Sequence, residues 1–334
     1  MNLKHQTKIN MNKFLITGIS GFAGPNLANL LLENGHEVHG VIRSSHGREV
    51  DLMDTISNSN FEKIKFHYLD LKDQIDVKNL LEKEMYDGIF HLAAQSHPPT
   101  SFENPILTFN ENVNASINII AHCGTSKLMF CSTSEVYGNQ CKENYSLKET
   151  DILSPINPYG CSKAAIDIYL QERMKNKFVN GFITRAFSHT GIRRGKNFSI
   201  SSDAYQIARI KLGLQDKTIK VGNLHSKRTV LDVRDCVNAY YKLMLTPKSS
   251  GEIFNVGSID IHEIGYFTDI LIDIAGYSTL EIKKEICSKL YRPIDINVQM
   301  PDVAKLKNTI DWSQKYTLNE TLESLYNYWH KKLQ

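Results

Sequence analysis

Two constellations in this 334-residue chain have residue types and spacings that could do chemistry together. The first is Gly18-Ile19-Ser20-Gly21-Phe22-Ala23-Gly24, set between an apolar run at 13–17 and a stretch with helically spaced leucines (Leu27, Leu30, Leu31) closed by Gly35. Glycines there let a turn take positive φ and let a pyrophosphate approach the backbone at a helix N-terminus, where free N–H groups and the dipole favour an anion. The second is Tyr159 with Lys163. On a helix these lie one turn apart on one face, so the ammonium can sit near the phenol and lower its pKa. A phenolate beside a nicotinamide ring is a base that takes a proton from a substrate hydroxyl as hydride leaves the carbon. Either pattern alone is weak; a glycine loop framed by strand and helix, followed by such a pair, is a strong signal for dinucleotide-dependent redox chemistry.

Positioning these groups requires an α/β fold. Apolar runs at 13–17, 37–42, 64–69, 88–92, 127–131 and 181–185 alternate with helical stretches, which predicts right-handed βαβ units and a doubly wound parallel Rossmann sheet. Past residue 187 the rhythm loosens: helices are expected at 202–213, 235–245 and 318–330, with strands at 218–221 and 252–256. The expected division is a cofactor domain at 11–187 and 229–258, a smaller C-terminal substrate lobe at 188–228 and 259–334, and a flexible extension at 1–10. Ligands in open α/β sheets sit outside the strand carboxyl ends, so the site belongs between the two lobes.

Composition narrows the ligand. With 39 Lys+Arg against 36 Asp+Glu, a net charge of +3 and 41% apolar residues, the chain can bury a full core and gives no reason to expect a nucleic-acid partner. No run reaches the length of a membrane span, and a cytoplasmic protein is expected. The six cysteines (Cys123, Cys131, Cys141, Cys161, Cys236, Cys287) form no C-x-x-C pair, so no structural metal is expected. At the end of the second strand, where an NAD site commonly has an acid, stand Arg43, Ser44 and Ser45. A guanidinium with two hydroxyls suits a 2′-phosphate, which favours NADP and leaves NAD open. Asp70 and Leu71 follow the third strand, placed to meet the adenine edge. Loop arginines and lysines (Arg193, Arg194, Lys227, Arg228, Arg292) suit a second diphosphate, because planar guanidinium donors bind phosphate oxygens in pairs.

Together with Ser132-Thr133-Ser134-Glu135, these features resemble the extended short-chain dehydrogenase/reductase family over nearly the whole chain from residue 12. Within it the segments are most similar to the GDP-mannose 4,6-dehydratases: Leu15 to Gly21, Val38 to Ser45, His91-Leu92-Ala93-Ala94-Gln95-Ser96-His97 with Ser101 and Phe102, Ser188 to Gly195, and Val221 to Arg228. That resemblance implies Thr133 and Glu135 beside Tyr159 and Lys163 as the catalytic set. It implies Leu92, Ala93, Ala94, Gln95, Ser96, Leu107, Lys163, His189 and Arg194 against NADP. Ser96, Ser134, Ser188, Val221, Arg228 and Arg292 are implied on a GDP-linked sugar. It further implies a homodimer or homotetramer with the helices at 112–122 and 159–174 packed across a symmetry axis, and the Arg43 loop meeting a neighbouring subunit.

The implied reaction suits the residues. Oxidation at sugar C4 acidifies the C5 proton; Glu135, the carboxylate within 133–137, would remove it and assist loss of the C6 hydroxyl as water, and the hydride would return to C6. A GDP-sugar reductase or C4 epimerase would use Tyr159 and Lys163 without elimination. Ser188 stands where the family commonly carries Asn, and the segment 228–235 looks closer to the related GDP-6-deoxy-mannose reductases. The sugar, GDP-mannose or a related GDP-heptose, stays open.

Overall fold

The computed structural model describes residues 11–43, 50–142 and 145–334. The expected extension at 1–10, and Ser44 and Ser45, lie outside the described residues. Each apolar run in the first half pairs in parallel with another. The strands are β1 Lys13–Thr17, β2 Glu37–Ile42, β3 Lys65–Tyr68, β4 Gly88–His91, β5 Lys127–Thr133 and β6 Gly181–Ala186. Beyond these come β7 Thr218–Val221, β8 Lys227–Thr229, β9 Ile253–Val256, β10 Ile261–Glu263, β11 Lys283–Ile286 and β12 Val298–Gln299. Seven of them form one sheet in the order β9-β6-β5-β4-β1-β2-β3, with every neighbouring pair parallel. Phe14, Leu15 and Ile16 are all buried, the continuous apolar pattern that a strand covered on both faces requires.

The main helices are α1 Ala23–Glu33, α2 Gln74–Lys83, α3 Ala115–His122, α4 Pro158–Lys175, α5 Ser199–Lys211, α6 Val233–Leu245, α7 Ile264–Ile274, α8 Ala304–Thr309 and α9 Leu318–Leu333. Helices α1 and α6 bury Leu27, Leu31, Val237 and Tyr240 on one face of the sheet. On the other, α2, α3 and α4 bury Val77, Ile119, Ile166 and Leu170. The chain leaves β1 for β2 and β3 on one side and continues from β4 on the other, so a crevice opens where β1 and β4 diverge at their carboxyl ends. His91 ties that point together: its Nδ1 lies 2.7 Å from Thr17 Oγ1 and its Nε2 2.9 Å from Ser116 Oγ on α3. Burial, with Lys163 adding to it, drops His91 to about 3, so the ring is a neutral bridge.

Strand β5 runs past its expected end because Ser132 and Thr133 keep pairing with Arg185 and Ala186. Helix α5 starts at Ser199, ahead of its expected start, since Ile200 joins Ala204 and Ile207 on its buried face. The smaller lobe packs α5, α7 and α9 around Ile207, Leu271 and Leu322, with β7 paired to β11 and β8 between β10 and β12. Part of the chain expected in this lobe belongs to the sheet's core instead. Leu306, Ile310 and Trp312 pack with Phe254 and Val237, and the Trp312 indole N–H donates to Asp235 O at 3.0 Å. Their apolar area finds its match on the sheet rather than the lobe. No helix among the described residues is long and apolar enough to cross a membrane.

Candidate active site

A cavity of about 640 Å³ opens between the carboxyl edge of the sheet and the lobe. Its floor is the glycine loop. Gly18 has φ +72°, and a Cβ there would fall 2.8 Å from Ala93 Cα. Gly24 begins α1 so close to the loop that a Cβ would fall 2.4 Å from Ile19 O. Both positions therefore require glycine. The first turn of α1 has no side-chain cap, and Gly21, Phe22, Ala23 and Gly24 line the cavity beside it. The result is a cradle a Cβ would fill, with helix N–H groups at its edge, and it fits a dinucleotide pyrophosphate.

The catalytic edge is built from β5, the turn after it, and α4. Asn157 caps α4 by accepting from Gly160 N at 2.7 Å, with Pro158 at the first helical position. The same Asn157 donates to Glu135 Oε2 at 2.6 Å, and Arg292 Nη1 reaches Glu135 Oε1 at 3.2 Å. Both oxygens of a buried carboxylate are thus held in place at the cavity wall. Thr133 Oγ1 accepts from Glu135 N at 3.3 Å, and Thr133, Glu135 and Tyr159 line the same cavity.

One electrostatic expectation is reversed. Burial raises Tyr159 above the ordinary phenol value, with Cys131 and Glu135 adding to it and Thr133 and Arg194 opposing. The Lys163 ammonium lies 4.4 Å from the Phe130 ring centroid. Burial pulls Lys163 itself down to about 8, against Cys131 and Asp167. Arg194 stacks on Phe22 and Phe198, at 4.7 Å and 3.5 Å from their ring centroids. It has no carboxylate partner among the described residues, and burial lowers it to about 10. His189 stacks on Phe22 and has its Nδ1 2.9 Å from Phe187 O.

Of the residues singled out by sequence, Leu92, Ala93, Ala94, Ser96, Thr133, Ser134, Glu135, Tyr159, Lys163, Ser188, His189, Arg194, Val221, Arg228 and Arg292 line this one cavity. Others sit elsewhere. Ile19 is in the core, in the space a Cβ on Gly40 would need. The Ser20 carbonyl accepts from Arg193 at 3.4 Å. Gln95 shapes its loop, donating to Thr108 at 2.9 Å and accepting from His97 N at 2.6 Å. Leu107 is exposed. Arg43 pairs with Glu111, which also accepts from Lys72 at 2.6 Å; Asp70 accepts from Lys72 N at 2.9 Å, and Leu71 is buried.

Arg228 is buried and donates to Ile296 O at 2.6 Å and Asp295 Oδ1 at 3.3 Å. Asp295 also lies 3.7 Å from Arg292. Arg228 thereby clamps the loop that carries Arg292. Sequence reasoning passed over Asn157 and Asp295. A signal for the first was Asn before a helix-starting proline; the second sits in a loop without periodicity.

The family model described as GDP-mannose 4,6 dehydratase matches residues 15–325. GDP-mannose 4,6 dehydratase 1 of Arabidopsis thaliana is 30% identical over 90% of this chain and 85% of its own length. CDP-paratose 2-epimerase of Salmonella typhi is 27% identical over 95% of this chain and 98% of its own. Among solved structures, RMD from Pseudomonas aeruginosa complexed with NADPH superposes with a TM-score of 0.81 at 24% identity, covering 96% of this chain and 100% of that one.

Proposed function

Because the chain belongs to the GDP-mannose 4,6 dehydratase family, whose relatives are nicotinamide-dependent enzymes of nucleotide sugars, we propose that it is an NADP-dependent 4,6-dehydratase of a GDP-hexose such as GDP-mannose or a related GDP-heptose. The observation that carries this reading is the buried Glu135 carboxylate beside Thr133 and Tyr159 in one cavity. A reductase or epimerase needs the Tyr159 group alone; a held carboxylate beside it is what an elimination requires.

The glycine cradle, Arg194 and His189 would hold the cofactor's diphosphate and nicotinamide end, and Arg43 its 2′-phosphate. When bound, NADP accepts hydride from sugar C4 and returns it to C6. Tyr159 takes the C4 hydroxyl proton, with Thr133 fixing the direction of its hydroxyl. Lys163, one turn along α4, would take the phenol proton that frees Tyr159 to act as base, and the proton gained from the C4 hydroxyl would go to C5 when hydride reaches C6. Glu135 takes the proton at C5, alpha to the new ketone, and returns it to the departing C6 hydroxyl, which leaves as water. Arg292 and Asn157 hold the carboxylate during both transfers and keep it aimed at one face of the sugar. Arg292, with Arg228 behind it, meets the sugar diphosphate.

The test is incubation with GDP-mannose and catalytic NADP, followed by mass spectrometry. A 4-keto product that has lost water, without net cofactor reduction, is the expected result. Net NADPH consumption without reaction on GDP-mannose would replace this reading by the reductase. The exposed Ile106, Phe109, Ile117 and Ile168 on and before α3 and on α4 form the face for a homodimer or homotetramer, which light scattering after size exclusion measures.

A further inference from the structure

The amphipathic pattern of α5 carries one discordant residue. Ile200, Ala204, Ile207 and Ala208 make its buried face, and Asp203 sits among them, 3% exposed, yet lines the cavity. Thr268 on α7 donates to its Oδ2 at 2.8 Å. Its Oδ1 has no hydrogen-bond partner among the described residues, and neither does the carboxylate have an ion-pair partner there. The neighbouring cation Lys284 is already paired with Asp269. Burial accordingly pushes Asp203 up to about 7, against the Thr268 hydrogen bond and Lys284. Oδ1 is not among the enclosed polar atoms left without a partner, so it opens on the cavity, where a ligand donor can meet it.

Its place in the cavity indicates which ligand group meets it. Glu135 and Tyr159 mark the end where the sugar reacts, and Arg292, within reach of Glu135 and linked through Asp295 to Arg228, marks the diphosphate. The lobe residues Ser202, Asp203, Lys220, Val221 and Ile264 line the same cavity, and with the reacting sugar and the diphosphate assigned they are the part left for the base. Guanine presents two adjacent donors, N1–H and the N2 amino group, and a carboxylate accepts both. Uracil offers one donor flanked by carbonyl oxygens, and cytosine and adenine pair a donor with a bare ring nitrogen, so each sets an acceptor against the carboxylate. We propose that Asp203 reads the guanine edge and selects GDP-linked sugars over those of other bases. This rests on the nucleotide-sugar reading of the cavity but not on the dehydration step.

The experiment is titration calorimetry of the full chain at pH 8 with GDP, inosine diphosphate, UDP and CDP. Inosine diphosphate lacks the N2 amino group and is otherwise the same ligand. Wild type is expected to bind GDP about tenfold or more tighter than the other three. Asp203→Asn should weaken GDP by a similar factor and bring the GDP to inosine diphosphate ratio close to one, with NADPH affinity retained and a thermal midpoint at or above that of wild type. Should that variant not fold, Thr268→Val, which removes the donor orienting Asp203, should shrink the same ratio. Equal wild-type affinity for GDP and inosine diphosphate, tighter UDP or CDP binding, or a variant that weakens GDP and inosine diphosphate alike overturns the proposal. GDP preference without water loss from GDP-mannose would instead overturn the dehydratase reading and leave this one standing.

Discussion

Arg185, buried beneath the sheet's edge, and Arg194, half-buried in the cavity above it, are both packed against the chain, and the molecule treats them oppositely. Arg185 Nε and Nη2 donate to the two oxygens of Asp167 at 3.0 Å and 2.9 Å, and Nη1 donates to Tyr137 Oη and Glu149 O. Asp167 also accepts from Ser132 at 2.7 Å, and Tyr137 donates to Asn255 at 2.7 Å. Burial opposes the Arg185 charge, but the Asp167 hydrogen bonds and charge raise it well above its ordinary value. Arg194 has aromatic faces and no carboxylate partner among the described residues, and its pKa falls. The saturated network ties β5, β6, α4 and the Tyr137 turn into one frame on which Thr133, Glu135 and Tyr159 stand. On the proposed function, the unsaturated guanidinium is the one that meets the cofactor's diphosphate. Charge satisfied within the chain fixes geometry; charge left open binds ligand.

That contrast can be broken from either side. Tyr159→Phe and Glu135→Gln remove proton-transfer groups and should each lower the turnover number by about 10²- to 10⁴-fold, measured as 4-keto sugar formed, while NADPH binding stays near wild type. Asp167→Ala strands the Arg185 guanidinium in the frame and should cost about 3–5 kcal/mol of stability, read from the urea midpoint; an unchanged midpoint would mean the frame is not what holds the edge together. Arg194→Met should leave the midpoint alone and weaken NADPH about tenfold, the effect of about 1.4 kcal/mol, measured by fluorescence titration.

The pH dependence of folding tests the open carboxylate. Asp203 has a folded value of about 7 against an ordinary aspartate value of 3.8. The folded state therefore holds its proton more tightly, and this stabilising contribution is complete below the unfolded value and lost as pH rises through about 7. Asp203→Asn should flatten the fall in urea midpoint between those two values. The smallest effect belongs to the surface. The Arg43–Glu111 pair is half exposed on the arginine side, so Arg43→Ala should change stability by less than about 1 kcal/mol while weakening NADPH more than NADH.

Much of the frame was legible in the chain. Continuous apolar runs such as Phe14-Leu15-Ile16, leucines at helical spacing in α1 and the punctuation of Gly18 and Gly35 are local signals, and they gave the order of strands and helices. Misses came where a local signal was weak or was outweighed by long-range packing. Residues 304–312 were expected in the lobe, and their apolar side chains instead found the sheet face over Phe254. The glycine loop was readable because its spacing is itself the geometry. Asp203 carried a signal that went unused: an acid on the apolar face of α5.

By itself the sequence determined the doubly wound sheet, the cradle at its switch point and the family, because each depends on periodicity or on contiguous residues. Only the tertiary structure decided what each charged side chain touches. Lys163 packed its ammonium on the Phe130 ring, Arg292 reached Glu135, and Asp167 found Arg185. These choices join residues far apart in the chain, where spacing carries no information. They were settled by which groups folding removed from water together, since a buried charge must be met by whatever packing brings beside it.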